Sequence, residues 1–234
     1  VYLSFLNLKK IITDISFVKF ISFKFFNGSL GIFRNEELNR AILQLHTKKI
    51  QNTVYDNSSK KTIIELLLPH HNEYTVLNLL VGLEIKKLSQ SNCYILIGEN
   101  DFINKHIAIA LGFSNFIIRK KKNFVIRLLA FIEAIKISKL KLGDSNLMKL
   151  KYLGLDVGKA TLENYIRFHN DIKNKEHIFF KLLSLSKGIV EMNYIKSIFD
   201  HYKFDHFVIG ETQFIPHRIM LLYALKKKIR VYVR

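Results

Sequence analysis

"TIIELLLPHHNEYTVLNLLVGLEIKKLSQSNCYILIGENDFINKHIAIALGFSNFIIRK", residues 62 to 120, is the stretch on which the fold turns. Residues 62–68 form a short apolar run that reads as a buried strand, and 73–88 carry apolar side chains at helical spacing. A second strand is predicted at 93–98, a helix at 102–112 closed by Gly112, and a third strand at 115–120. Strands apolar on both faces, each followed by a helix, predict a parallel sheet, because a parallel pair needs a crossover long enough to hold a helix.

The alternation continues to the end of the chain. Residues 123–140 and 177–203 predict helices around a less regular insert at 141–176. The last stretch, "FVIGETQFIPHRIMLLYALKKKIRVYVR" (207–234), is another strand–helix–strand unit. Its strands are Phe207–Ile209 and the run Ile229, Val231, Val233, and its helix is marked by Ile215, Ile219, Leu222 and Leu225. Val231 to Val233 read as a buried strand, which is unexpected so close to a chain end. The expected fold class is therefore α/β, a Rossmann-like parallel sheet with helices on both faces, occupying residues 61–234.

Working toward the other end, "VYLSFLNLKKIITDISFVKFISFKFF" (1–26) is rich in Leu, Ile and Phe but interrupted by Lys9, Lys10, Asp14, Lys19 and Lys24. No run approaches the roughly 20 apolar residues that span a bilayer, and no small-residue cleavage site marks a signal peptide. Residues 1–60 read as an amphipathic helical segment, either packed on its own domain or laid on an anionic membrane surface with its lysines at the headgroups. "NGSLG" (27–31) and "YDNSSKK" (55–61) punctuate it.

Composition bounds the function. With 234 residues, 49% of them hydrophobic, the chain has ample material for a core and is not a disordered polymer. The single cysteine, Cys93, excludes a disulfide framework or a thiolate metal cluster, suggests a reducing compartment, and reads as a small core residue. Lys and Arg total 37 against 19 acids, a net charge of +18. Such a charge attracts nucleic acid, anionic lipid or phosphorylated substrates. A bias toward Lys, Asn, Ile and Phe, with two prolines and no tryptophan, is also what AT-rich coding produces, so charge alone assigns no partner. The basic runs at 119–123 and 226–228 lack the interleaved aromatics of an RNA-binding sheet, and no helix-turn-helix or zinc pattern occurs. They read as solvated turns rather than a nucleic-acid interface.

In an open parallel sheet, ligands bind at the carboxyl ends of the strands, near the point where strand order reverses. Those ends carry "PHHNE" (69–73), "GEND" (98–101) and "GET" (210–212). His70, His71, Glu73, Glu99, Asn100, Asp101, Glu211 and Thr212 thus gather on one edge, where a proton acceptor and hydroxyl-binding groups can converge. Asn72 and Asp101 also suit helix N-caps. Adjacent histidines on a loop lack the i, i+4 spacing of a helical zinc motif, so no metal site is expected. G-x-G-x-x-G, Walker and G-x-S-x-G patterns are absent, which excludes their dinucleotide, triphosphate and hydrolase signatures.

One segment stands outside this grammar. "KYLGLDVGKATLENYIRFHND" (151–171) resembles the part of bacterial surface and capsular polysaccharide biosynthesis proteins in which a pattern like I-G-D-x-I-Y-D-x-Y-L-R follows the third strand and its helix. Gly158, Glu163, Tyr165 and Arg167 fall in matching places, and the closing segment, with Thr212, Val231, Tyr232 and Val233 in step, is similar to that family's ending in G-I-P-V-Y-V. Lys159 and Leu162 depart from an acid and a tyrosine of the pattern, and Lys228 and Arg230 from a glycine and a proline. The resemblance implies the N-terminal, acceptor-side domain of a glycosyltransferase of GT-B type. A missing C-terminal domain would bind the nucleotide-sugar donor, and no cofactor is expected in this part. His71 or Glu211 would be the general base for an acceptor hydroxyl. His70, Glu99, Asn100 and Thr212 would contact the acceptor, and Arg167 would hold a phosphate. The partner would be a glycan or glycolipid acceptor, the location cytoplasmic, with possible docking on the inner membrane face. The alternative is a basic α/β binding protein for nucleic acid or an anionic surface, without catalysis.

Overall fold

The structure, a computed structural model, describes residues 60–68, 72–168 and 178–233. The amphipathic reading of residues 1–60 falls almost wholly outside the described residues. The chain order is β1 (Lys61–Leu66), α1 (Asn72–Ser89), β2 (Asn92–Gly98), α2 (Phe102–Ala110), β3 (Asn115–Arg119), α3 (Phe124–Ser138), α4 (Asp144–Met148), α5 (Val157–Phe168), α6 (Ile178–Tyr202), β4 (His206–Ile209), α7 (His217–Lys226) and β5 (Arg230–Val233).

Among the described residues five strands form one parallel sheet in the order β3-β2-β1-β4-β5. The chain steps outward from the central strand β1 through β2 and β3, then returns through four helices to place β4 on the other side of β1. This is a Rossmann-like α/β sheet with helices on both faces, as the alternation of strands and helices predicts. One face packs α1 and α2 around Ile64, Ile95, Ile97 and Val208. The other packs α3 to α7 around Ile63, Leu96, Ile117, Phe207 and Ile209. Both sets come from the same strands at adjacent positions, because successive strand side chains alternate between faces. Cys93 is buried among the first set, and burial pushes its thiol up to about 11.

Two elements differ from the sequence reading. The insert at 141–176 contains the helices α4 and α5. α5 buries Val157, Leu162 and Tyr165 on one side, with small Ala160 and Thr161 packed between them. Gly158 permits the α4–α5 contact: a Cβ there would overlap the Leu147 carbonyl oxygen, and its N–H donates to the Leu150 carbonyl at 3.0 Å. The run Val231 to Val233, read as a buried strand, is the sheet's edge strand β5, with Val231 and Tyr232 half-buried and Val233 exposed. No helix among the described residues is long and apolar enough to cross a membrane.

Candidate functional site

The strand order reverses between β1 and β4, and there the two strands part. Their pairing covers Thr62 to Ile64 against His206 to Val208. Glu65, the next residue of β1, has no partner on β4, and its carbonyl accepts from Asn78 Nδ2 of α1 at 3.0 Å. On the other lip Gly210 follows β4, and a Cβ at that position would lie 3.0 Å from both Asn78 amide atoms and 3.2 Å from the Tyr74 ring. The side-chain-free residue lets the loop close against α1 and brings the start of α7 over the end of β1.

That approach creates a buried ionisable pair. Glu65 shares a strand face with Ile63 and points toward α7, where its Oε1 lies 3.1 Å from His217 Nε2. The two side chains are 1% and 4% exposed, so water competes little for the contact. The same Oε1 accepts from the Leu67 N–H. A carboxylate only accepts, so Nε2–H donates to it and, in the neutral ring, Nδ1 carries the free lone pair. Nδ1 is buried and has no hydrogen-bond partner among the described residues.

Other unpartnered atoms lie on the same side of the sheet. Among the described residues, buried side-chain atoms without a hydrogen-bond partner occur on Asn78, Thr161, Glu191, Tyr194, His217 and Arg218. All except Asn78 belong to α5, α6 or α7, the layer toward which Glu65 points. A Cβ on Gly188 would lie 3.5 Å from both Thr161 Oγ1 and Ile215, which places α5, α6 and the β4–α7 loop against one another. One turn along α6, Glu191 pairs with Arg119 at the end of β3 and keeps its other oxygen unpartnered. Lys122 sits with its Nζ 3.7 Å from the centre of the Tyr194 ring. Burial lowers the Lys122 pKa and pushes the Tyr194 phenol up to about 12. A buried polar group without a partner costs about 1–3 kcal/mol, so each of these atoms suits an ordered water or a ligand's polar group.

The residues named from sequence are distributed around this layer rather than at its centre. His70 and His71 lie outside the described residues, and only the backbone of Glu73 is described. Glu211 turns back on its own loop, its Oε1 accepting from the N–H groups of Thr212 and Gln213 at 2.7 Å each. Thr212 is half-buried beside it. Glu99 and Asn100 are exposed on the β2–α2 loop, with Glu99 Oε2 accepting from Lys121 N–H at 3.3 Å. Asp101 caps α2 through the Asn104 N–H at 3.2 Å. Arg167 lays its guanidinium 3.6 Å from the centre of the Phe214 ring, in the β4–α7 loop. Glu163 pairs with Arg218, at 3.8 Å.

Glu65 and His217 were missed in the sequence reading. The signal for Glu65 was present: a carboxylate inside an otherwise apolar strand must find a partner when the strand is buried. His217 gave no comparable signal, since its partner lies 152 residues away in the chain. Among the described residues no group of three or more His, Cys, Asp or Glu is placed to hold a metal ion. No family model, curated protein or solved structure matches the chain.

Proposed function

We propose that this domain binds a hydroxyl-bearing acceptor, a glycan or glycolipid, where β1 and β4 part, and that His217 is the base that activates it. The buried Glu65–His217 pair at the strand-order reversal carries this reading. Glu65 fixes the ring with Nδ1 as the acceptor. The acceptor O–H would give its proton to Nδ1 while its oxygen attacks the anomeric carbon of a nucleotide sugar. The bond to the diphosphate would break, and the diphosphate would leave with the electron pair. Thr161, Glu191 and Tyr194 supply the unpartnered donors and acceptors that sugar hydroxyls satisfy, and Arg167 over Phe214 suits a phosphate. The chain then acts as the acceptor side of a surface-polysaccharide glycosyltransferase, and the donor is held by a further domain.

Saturation-transfer NMR of the full chain against methyl and octyl hexopyranosides tests this reading. Transfer to at least one glycoside is expected, together with its loss in Thr161→Val combined with Glu191→Gln. No transfer to any glycoside refutes the acceptor reading. The +18 charge supports a second reading, an anion-binding protein without catalysis. Oligonucleotide binding that weakens steeply with salt, in the absence of glycoside binding, would favour it.

A further inference from the structure

The α3 helix is apolar on two opposite sides. Ala130, Ala134 and Ser138 are buried against the domain, while Val125, Leu128, Leu129, Ile132 and Ile135 are exposed. At about 100° per residue, these five fall within an arc of roughly 120°, nearly opposite the buried stripe. Leu129 is 60% exposed and, at the first turn, Phe124 is 76% exposed. The start of α6 extends the patch, where exposed Phe179 packs its ring 6.1 Å from Phe131. A helix apolar all round is normally covered on every side, and a patch built from two elements distant in sequence is more than scattered surface leucines.

The surrounding charge says what covers it. Between residues 120 and 141 seven cations stand against one carboxylate, Glu133, which lies beside Lys136 at 4.0 Å. Exposed Lys120 and Lys121 precede the helix, and exposed Lys139 and Lys141 follow it. Cations at both ends of an apolar helical face match an anionic bilayer, with the apolar arc below the headgroups and the lysines level with the phosphates. A protein partner would more often meet such a face with an apolar centre and a rim of mixed charge.

We propose that α3, with the first turn of α6, docks this protein on an anionic membrane surface. The inference is independent of the sugar-transfer reading and uses a different element from residues 1–60. The helix begins directly after β3, at the sheet's carboxyl edge, so docking through it would bring the candidate site alongside the lipid.

Co-sedimentation of the full chain with phosphatidylcholine vesicles, with and without about 30% phosphatidylglycerol to supply an anionic surface, is the test. Binding is expected to the anionic vesicles only and to weaken with salt. Leu129→Glu combined with Ile132→Glu changes two exposed side chains, so folding should persist by circular dichroism. The variant's partition coefficient should fall at least about tenfold. Absence of binding to anionic vesicles overturns the proposal, as does unchanged binding of the variant, which would place the contact elsewhere. A vesicle-free dimer that the same substitutions dissociate would also overturn it, by making a second copy the occupant.

Discussion

Removing one member of the Glu65–His217 pair should be far more damaging than removing both. In Glu65→Leu, the Leu67 N–H and His217 Nε2–H both lose the carboxylate oxygen that accepts from them. Each buried unpaired donor costs about 1–3 kcal/mol, so a loss of about 4 kcal/mol is expected. In His217→Leu the Glu65 carboxylate keeps only the Leu67 N–H while remaining almost wholly inaccessible to water. Breaking a buried pair from one side costs about 3–5 kcal/mol. The double variant leaves the Leu67 N–H alone unpaired and fills the space with apolar carbon, so its loss should be about 2 kcal/mol. Independent effects would instead give about 8 kcal/mol, so the coupling should be several kcal/mol. Urea unfolding of the four proteins, followed by far-ultraviolet circular dichroism, measures this directly. If the double variant loses as much as the two single variants together, the two side chains do not act as a pair, and the account of the site is wrong.

Two further outcomes follow from particular contacts. Gly158→Ala places a methyl group against the Leu147 carbonyl in the α4–α5 turn, and a backbone atom cannot rotate away. We expect a loss of about 3 kcal/mol, measured by urea midpoint, against a change near zero for alanine at exposed Lys159. His206 has its pKa lowered, chiefly by burial and then by Arg230, against the opposing pull of Asp205. The unfolded chain therefore binds the proton more readily than the folded one, and stability present above the ordinary histidine pKa is lost as pH falls through it. Between pH 7.5 and 5.5 wild type should lose more stability than His206→Gln; equal losses would show that this ring contributes nothing to acid sensitivity.

The strands and helices around the central strand were legible because their signals are local. β2 and β3 are compact apolar runs, and α1 and α2 carry helical spacing with punctuation at their ends. α5 was passed over although Val157, Leu162 and Tyr165 recur on its buried side; the small residues Gly158, Ala160 and Thr161 between them contribute close approach rather than apolar area. The candidate site was half legible. Sequence pointed to the carboxyl edge and to Glu211, whose carboxylate holds its own loop. It passed over Glu65, which the apolar run around it disguised, and His217, which sits at the start of a helix where polar residues are ordinary. The resemblance of residues 151–171 to a polysaccharide-biosynthesis pattern supplied the proposed reaction class, while the pair that carries the proposal came from the fold.

The sequence by itself determined the parallel α/β class, because alternating strand and helix patterns leave the chain few other ways to bury both faces of each strand. It also determined that polar groups collect at one edge, since each strand is followed by a loop on that side. Only the tertiary structure decided which strands flank the reversal. Patterning within a strand specifies its faces and says nothing of its neighbours, and β4 reaches β1 only after four intervening helices. That placement joins Glu65 to His217 across the chain, a contact between residues that no local pattern relates.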